Sequence, residues 1–294
     1  MKAVDFDYVR PTSIGEACAR LAETGAEAKL LAGGQTLVPL LAMRLARPAL
    51  LIDINRIAAL AGIARNTGGV TIKSCTRQGD ALADVTLRRD VPLLAKALSF
   101  VGHVQTRNRG TIGGSLANAD PAAEIGLAAL TLDAVAVAAS TQGLRRIAMA
   151  DFFRAAMETA LAPEECLTEI QFPAWREAGR IGTGFQEVSI RRADFALAAA
   201  AVQLSLDSGG VCRRIALSLA GAGDVPLRVD AATEMLIGTK LAEDDIEVTA
   251  QGVRNSIAPT DDLHASADYR RRVAGELAAR AIAEARDEAL GGRA

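Results

Sequence analysis

The chain has 294 residues, half of them hydrophobic, which is enough for one large domain or two ordinary ones. Its 33 basic and 35 acidic residues leave a formal net charge of −2, which excludes a global attraction to nucleic acid or to an anionic membrane. The apolar run 195–206 is interrupted by Gln203 and is shorter than the roughly 18 residues that a membrane-spanning helix needs. The N-terminus carries acidic residues early and has no apolar signal region, so a cytoplasmic location is expected.

The cysteines do not form a framework for a metal or a cluster, because none belongs to a CxxC pair; they stand at Cys18, Cys75, Cys166 and Cys212. A [2Fe–2S] cluster needs about four thiolates at characteristic spacings. The two histidines are also far apart in sequence, so we expect no structural zinc site. Any redox chemistry of this chain would therefore need a bound organic cofactor.

The N-terminal part alternates helices and short apolar strands. The pattern predicts a helix over 12–24, and a strand over 29–32 that runs into Gly33–Gly34. Because Pro39 is tolerated only in a first helical turn, the next helix must begin close to Thr36. A buried strand over 49–54 and a helix from Pro92 to about residue 101 follow.

The densest motif in the chain is QTRNRGTIGGSLANADPAAE, residues 105–124. It has few large apolar residues and much turn chemistry, so we expect a loop. The pair Asp120–Pro121 predicts the start of the following helix, with the aspartate as its cap and proline in its first position.

The character of the sequence changes near Pro173. From there the pattern predicts three long strands joined by turns, over 184–190, 196–206 and 211–219, and two final helices, over 229–236 and 268–289. We therefore predict a boundary at about residue 175, between a domain over 1–175 and a second over 176–294.

Two glycine pairs are the main candidates for a phosphate-binding site. They lie in the segments AGGQT (Ala32, Gly33, Gly34, Gln35, Thr36) and TIGGS (Thr111, Ile112, Gly113, Gly114, Ser115). Glycine lets successive N–H groups converge on an anion and lets a ligand approach the main chain. Two such loops could hold the two phosphates of a dinucleotide from both sides, although a Gly–Gly pair is more often only a tight turn. Neither segment fits GxGxxG or the P-loop pattern, so a Rossmann domain and a P-loop ATPase are excluded.

Glu124 is a further candidate, in the first turn of the predicted helix. As a structural residue it only favours the helix dipole. As a functional one, its carboxylate could accept hydrogen bonds from ribose hydroxyls. The residues alone favour the structural role.

The order of motifs is more specific than either glycine pair. The segments AGGQTLVPLLAMRLARP, RNRGTIGGSLANADPAAE, FQEVSIRRADFALAAAAV, PLRVDAATEMLIG and DYRRRVAGELAARA occur in this order along the chain. Together they resemble the FAD-binding medium subunit of the xanthine dehydrogenase and aerobic carbon monoxide dehydrogenase family, the molybdenum hydroxylases. The resemblance covers essentially the full chain.

The resemblance implies an α+β fold. Residues 1–175 would form an FAD-binding domain of the vanillyl-alcohol-oxidase (PCMH) type, and residues 176–294 a C-terminal domain of an antiparallel sheet with helices. Residues 32–36 and 111–115 would wrap the FAD pyrophosphate. Glu124, Leu167 and Gln186 would lie near the cofactor, and no residue of this chain would act on the organic substrate.

The resemblance also implies partners. A large subunit with molybdopterin would oxidise the substrate, and a small subunit with two [2Fe–2S] clusters would pass electrons to FAD here and then to an external acceptor. Two alternatives stay open: a free-standing FAD-dependent oxidase or reductase of the same superfold, and a non-enzymatic nucleotide-binding module.

Overall fold

Three main β-sheets and the helices packed on them make up the fold in the computed structural model, which describes residues 2–175 and 179–292. Helices and strands alternate without forming one continuous parallel sheet. The predicted α+β class is thus confirmed.

A small parallel sheet begins the chain, with strand order β1-β3-β2. Its elements are β1 (Asp7–Val9), α1 (Ile14–Thr24), β2 (Ala28–Leu31), α2 (Leu37–Ala42) and β3 (Leu50–Asp53). Because β2 and β3 run in the same direction, the residues that follow both strands meet at one edge of the sheet. This edge positions the AGGQT segment.

A five-stranded sheet of antiparallel pairs follows, in the order β4-β5-β10-β6-β7. Its strands are β4 (Ile63–Asn66), β5 (Gly69–Lys73), β6 (Val135–Ser140), β7 (Gly143–Ala148) and β10 (Cys166–Pro173). The short strands β8 (Phe153–Ala155) and β9 (Glu158–Thr159) pair separately. The late strand β10 lies at the centre, so it joins the two halves of this sheet.

Six helices connect β5 to β6: α3 (Gln78–Ala83), α4 (Val85–Asp90), α5 (Pro92–Leu98), α6 (Val104–Arg109), α7 (Ile112–Asn118) and α8 (Glu124–Thr131). The segment predicted as a loop thus contains α6 and α7, and this prediction was wrong. The hydroxyl Oγ1 of Thr111 accepts a hydrogen bond from Gly114 N at 3.0 Å and caps α7. The TIGGS glycines therefore lie in the first turn of a helix.

The predicted helix start at Asp120 was also wrong. Helix α8 begins at Glu124, and its cap residue, Ala123, makes no side-chain cap. The carboxylate of Asp120 instead accepts a hydrogen bond from Ala122 N at 2.9 Å, which stabilises a turn rather than a helix.

The remaining residues form a four-stranded antiparallel sheet with helices on one face. Its elements are β11 (Arg180–Ser189), β12 (Ala196–Leu206), β13 (Cys212–Ala220), β14 (Leu227–Arg228), α9 (Asp230–Thr233), α10 (Glu243–Ser256) and α11 (Ala267–Ala289). The three long strands and the last helix were predicted, whereas α10 was not. No helix within residues 2–175 or 179–292 is both long and apolar enough to cross a membrane.

The four-stranded sheet is buried on both faces. Alternate alanines of β12 enter two different cores: Ala199 and Ala201 pack with the helices of the N-terminal part, while Ala198 and Ala200 pack towards α11. The predicted boundary near residue 175 stays a prediction.

Candidate functional site

The AGGQT segment leaves β2 at the edge shared with β3 and presents unbonded amides. In the described part of the chain, no hydrogen bond takes the N–H of Gly33, Gly34, Gln35 or Thr36 as its donor. The hydroxyl of Thr36 is equally without a partner among the described residues. Successive free N–H groups in a turn form a concave nest that suits an anion.

The first segment lies directly against the second. A β-carbon at Gly33 would stand 2.6 Å from the carbonyl oxygen of Arg109 and 2.8 Å from Cα of Gly110. One at Gly114 would stand 3.7 Å from Cβ of Ala32. The structure thus brings AGGQT and TIGGS together, and Gly33 is required there because only a residue without a side chain permits this approach.

Four of the five amides of TIGGS are already used within the protein, unlike those of AGGQT. Ile112 N donates to Thr76 O at 3.0 Å, Gly113 N to Ser74 O at 2.8 Å and Ser115 N to the carbonyl of Thr111 at 3.1 Å. Gly114 N donates to Thr111 Oγ1 at 3.0 Å, and among the described residues neither Thr111 N nor the hydroxyl of Ser115 has a partner. The two segments are therefore not equivalent, because only AGGQT presents a row of free amides.

A cleft of about 460 Å³ opens beside AGGQT, and the residues of TIGGS are not among those that line it. It is lined by Leu31, Ala32, Gly33, Gly34, Gln35, Val38, Pro39, Asp53, Asn55 and Arg109. Arg109 contributes its backbone to this lining, since its carbonyl oxygen lies against Gly33 and accepts a hydrogen bond from Arg77.

Asn55 holds the nest in place and was missed by the sequence analysis. Its Nδ2 donates to the carbonyl oxygens of Ala32 at 2.8 Å and Leu31 at 3.2 Å. Its Oδ1 accepts from Arg77 Nη2 at 2.7 Å, and Arg77 Nη1 donates to Arg109 O at 2.5 Å. One amide side chain thereby ties both segments together. Its only signal in the sequence is a polar residue just after a buried strand.

Asp53, at the end of β3, supports Asn55 in turn. It accepts hydrogen bonds from the Tyr8 hydroxyl at 2.6 Å and from Asn55 N at 2.9 Å. Burial opposes its ionisation, but these hydrogen bonds and the nearby Arg10 guanidinium hold its pKa below the usual range. Asp53 is therefore ionised at neutral pH and anchors the turn.

The other three predicted cofactor residues, Leu167, Glu124 and Gln186, are not among the residues that line this cleft. Leu167 is buried in β10, which packs against α7. Glu124 opens α8, one turn segment after α7, and burial raises its pKa to about 7. Gln186 donates from Nε2 to Glu284 at 2.8 Å, so its side chain faces α11. The contacts of these residues and of both glycine segments with a cofactor stay predictions.

Three cysteines that are distant in sequence come together under this site. Cys18, Cys75 and Cys166 are buried in one apolar cluster. Burial raises the pKa of the Cys166 thiol to about 12. Across residues 2–175 and 179–292, no group of His, Cys, Asp or Glu side chains has the arrangement of a metal site.

Two family models match the chain. The model of the FAD binding domain in molybdopterin dehydrogenase matches residues 4–175, and the model of the CO dehydrogenase flavoprotein C-terminal domain matches residues 183–285.

Individual relatives match almost end to end. The 6-hydroxypseudooxynicotine dehydrogenase complex subunit alpha of Paenarthrobacter nicotinovorans is 38% identical, covering 97% of this chain and 96% of that protein. The caffeine dehydrogenase subunit beta of Pseudomonas sp. (strain CBB1) is 36% identical, covering 98% and 97%. A chain in a structure of carbon monoxide dehydrogenase from Hydrogenophaga pseudoflava is 34% identical in sequence. The match covers 97% of this chain and 98% of that chain, with a TM-score of 0.92.

The fold belongs to the class of FAD-binding domains. The free amides and the glycine backbone that line the cleft fit the pyrophosphate of FAD. The chain belongs to the family of FAD-binding subunits of molybdopterin dehydrogenases. It is the FAD-binding medium subunit of a complex of the molybdenum hydroxylase type and an oxidoreductase component. The predicted family, cofactor and enzyme class are thus confirmed.

Proposed function

We propose that this chain relays electrons inside a three-subunit complex. Electrons would arrive from the [2Fe–2S] clusters of a small partner subunit and leave to an external acceptor. A large subunit with molybdopterin would oxidise the organic substrate. Relatives named as the medium chain or one subunit of a dehydrogenase support this division of labour.

The residues of this chain bind and orient the cofactor. The amides of Gly33, Gly34, Gln35 and Thr36 would donate to one phosphate, while Ser115 would donate to the other. Asn55 keeps the nest in shape through its bonds to the loop carbonyls. When bound, FAD would supply the electron storage.

The remaining predicted contacts belong to the same proposal. The carboxyl group of Glu124 would meet the hydroxyls of FAD, and Leu167 would cover part of the ring system. Gln186, in the four-stranded sheet, would lie near the flavin, and its side-chain amide donates a hydrogen bond to Glu284.

The observation that supports the cofactor site of this proposal is the row of four unbonded amides in AGGQT, where Gly33 packs against the backbone of Arg109 and Gly110. A nest of this kind that serves only as a turn would be expected to bond its own carbonyls or side chains.

Co-purification of the native protein with its partners tests the relay. The complex would be isolated through this chain, and its absorption spectrum and metal content measured. Flavin together with iron and molybdenum in stoichiometric amounts is the expected result. Flavin on a chain that turns over a substrate without partners would instead favour a free-standing oxidase or reductase. A colourless protein would favour a nucleotide-binding module.

Two further expectations are part of the proposal. We place the complex in the cytoplasm, and we place the boundary between the two domains at about residue 175. Cell fractionation followed by detection of this chain checks the first, and limited proteolysis with mapping of the cut sites checks the second.

A further inference from the structure

A second cleft, of about 730 Å³, opens between the N-terminal half and the four-stranded sheet. Its walls come from the turn between β4 and β5, the junction of α4 with α5, the end of β10, and strands β11 and β12. It shares no lining residue with the cleft beside AGGQT, so the two clefts are separate. A volume of this size is typical of sites that bind small molecules.

Gln203 of β12 is the most deeply buried polar residue of this second cleft, with 4% of its surface exposed. Strand alternation places it on the same face as Ala199 and Ala201, which pack with the N-terminal half. Among the described residues, its side-chain amide has no hydrogen-bond partner.

The amide of Gln203 is nevertheless not sealed within the protein, so its remaining exposed surface opens into the cleft. A buried amide that stays unpaired costs about 1–3 kcal/mol of stability. A ligand that pairs with this amide would recover that cost, and such a ligand must carry both a donor and an acceptor to satisfy it.

Two arginines give the rim of this cleft a positive charge. The Nε atoms of Arg65 and Arg89 lie 3.0 Å and 2.8 Å from the carboxylate of Asp90. One carboxylate neutralises only one of the two guanidinium charges, and both arginine side chains are more than half exposed. Their remaining N–H groups can therefore bind an anionic group, and guanidinium matches phosphate and carboxylate best.

The remaining walls are largely apolar and include Val91, Phe172, Ile181 and Trp175, the only tryptophan of the chain. The guanidinium of Arg214 stands 3.8 Å from the centroid of the Trp175 ring, which holds one face of the ring against the protein. Apolar walls with one amide and a cationic rim favour a ligand that is flat and apolar in its body and charged at one end.

We propose that this cleft binds a small planar molecule with a lactam edge for Gln203 and an anionic group for Arg65 and Arg89, of the class of nucleoside monophosphates. A lactam presents an N–H and a C=O side by side, and a primary amide presents the complementary pair. The ring would lie against the apolar walls, and the phosphate would bind the arginines at the rim. This site does not depend on the proposed electron relay.

Calorimetric titration of the full chain with uridine monophosphate tests the site. Saturating FAD keeps the nucleotide out of the cofactor cleft, and the emission of Trp175 reports on the second cleft. We expect a Kd of about 0.1 mM or tighter, and binding at least about tenfold weaker for uridine and for ribose phosphate, which each lack one recognised group. A cleft that holds only water would give neither heat nor a change of emission, and this result overturns the proposal.

Variants locate the bound nucleotide. Gln203→Leu removes the amide at similar volume and should weaken binding of uridine monophosphate by at least about tenfold, whereas Gln251→Leu, on the exposed side of α10, should not change it. Affinity that persists in Gln203→Leu places the nucleotide elsewhere and overturns the site.

The rim is tested separately, at an exposed residue whose replacement does not disturb the core. Arg89→Gln should weaken binding of uridine monophosphate by at least about fivefold and leave that of uridine unchanged, because only the nucleotide carries the phosphate. An unchanged affinity for the nucleotide, or an equal loss for both ligands, contradicts the role of the rim. This variant decides the proposal even where Gln203→Leu does not fold.

Discussion

Gly33 makes the site by lacking a side chain. A methyl group there would stand 2.6 Å from the backbone oxygen of Arg109, which cannot rotate away. We expect Gly33→Ala to separate the two glycine segments, to cost about 1–3 kcal/mol of stability and to weaken FAD binding by at least about tenfold.

Equilibrium titration with FAD and urea unfolding measure both effects. Gly15→Ala is the matched control, because its new methyl group would meet no atom within 4 Å. Wild-type affinity in Gly33→Ala would show that the contact between the segments does not shape the nest.

Asn55 acts on the same nest through hydrogen bonds. Replacing it by alanine leaves the carbonyl of Ala32 and one guanidinium nitrogen of Arg77 without their partners. We expect Asn55→Ala to weaken FAD binding by at least about tenfold while the chain still folds, because the side chain makes four hydrogen bonds and each contributes about 1 kcal/mol net. Asn255→Ala, on the exposed side of α10, is the control. Equal affinities of the two variants would refute the positioning role.

The glycine pairs could be found from the sequence because glycine is chemically distinctive. The sequence could not show that only AGGQT presents free amides, because this depends on which amides are already hydrogen-bonded in the folded chain. Asn55 was missed for a similar reason. An amide or a carboxyl group in a strand or turn is ordinary until the three-dimensional structure shows what faces it.

Strand β11 and helix α11 show the same close packing between elements. A β-carbon at Gly184 would stand 1.9 Å from the carbonyl oxygen of Ala281, and one at Gly182 would stand 1.8 Å from that of Ala285. We expect Gly184→Ala to cost more than about 3 kcal/mol, because a helix backbone has to move.

The control lies in the neighbouring helix. In Gly252→Ala, on α10, the new methyl group would make an ordinary 3.6 Å contact with Ala232, and helix propensity predicts a gain of about 0.5–1 kcal/mol. Urea unfolding of both variants at one pH compares them. Equal free energies of unfolding would mean that the backbone of α11 does not pack closely against Gly184 of β11.

At the level of elements, the long strands of the C-terminal part and the last helix were predicted correctly, whereas α10 and the segments decided by capping were not. The strand 196–206 agrees with β12, and the terminal helix agrees with α11 within a residue. Helix α7 was missed because its first turn is made of small residues, and only the Thr111 hydroxyl shows where it begins. Helix α8 was misplaced because Asp120 caps a turn in the same way that it would cap a helix.

For the whole molecule, the two halves share one core. One apolar cluster contains residues of the four-stranded sheet, Phe185, Ala199 and Ala201, together with Leu94 and Leu98 of α5. Lys96 adds an ionic link from α5 to Glu284 and Glu288 of α11, and these groups are largely shielded from solvent. The predicted boundary near residue 175 therefore need not separate two units that unfold independently.

We predict that residues 1–175 expressed alone do not form a stable monomer, because the apolar faces of α5 and α8 would be left in water. Co-expression with residues 176–294 should restore a stable pair that binds FAD. Calorimetry of the intact chain should show one transition, with calorimetric and van't Hoff enthalpies in agreement. A cooperatively folded 1–175 fragment, or two separate transitions, would contradict a common core. In that case the interface would resemble a hinge between independent domains.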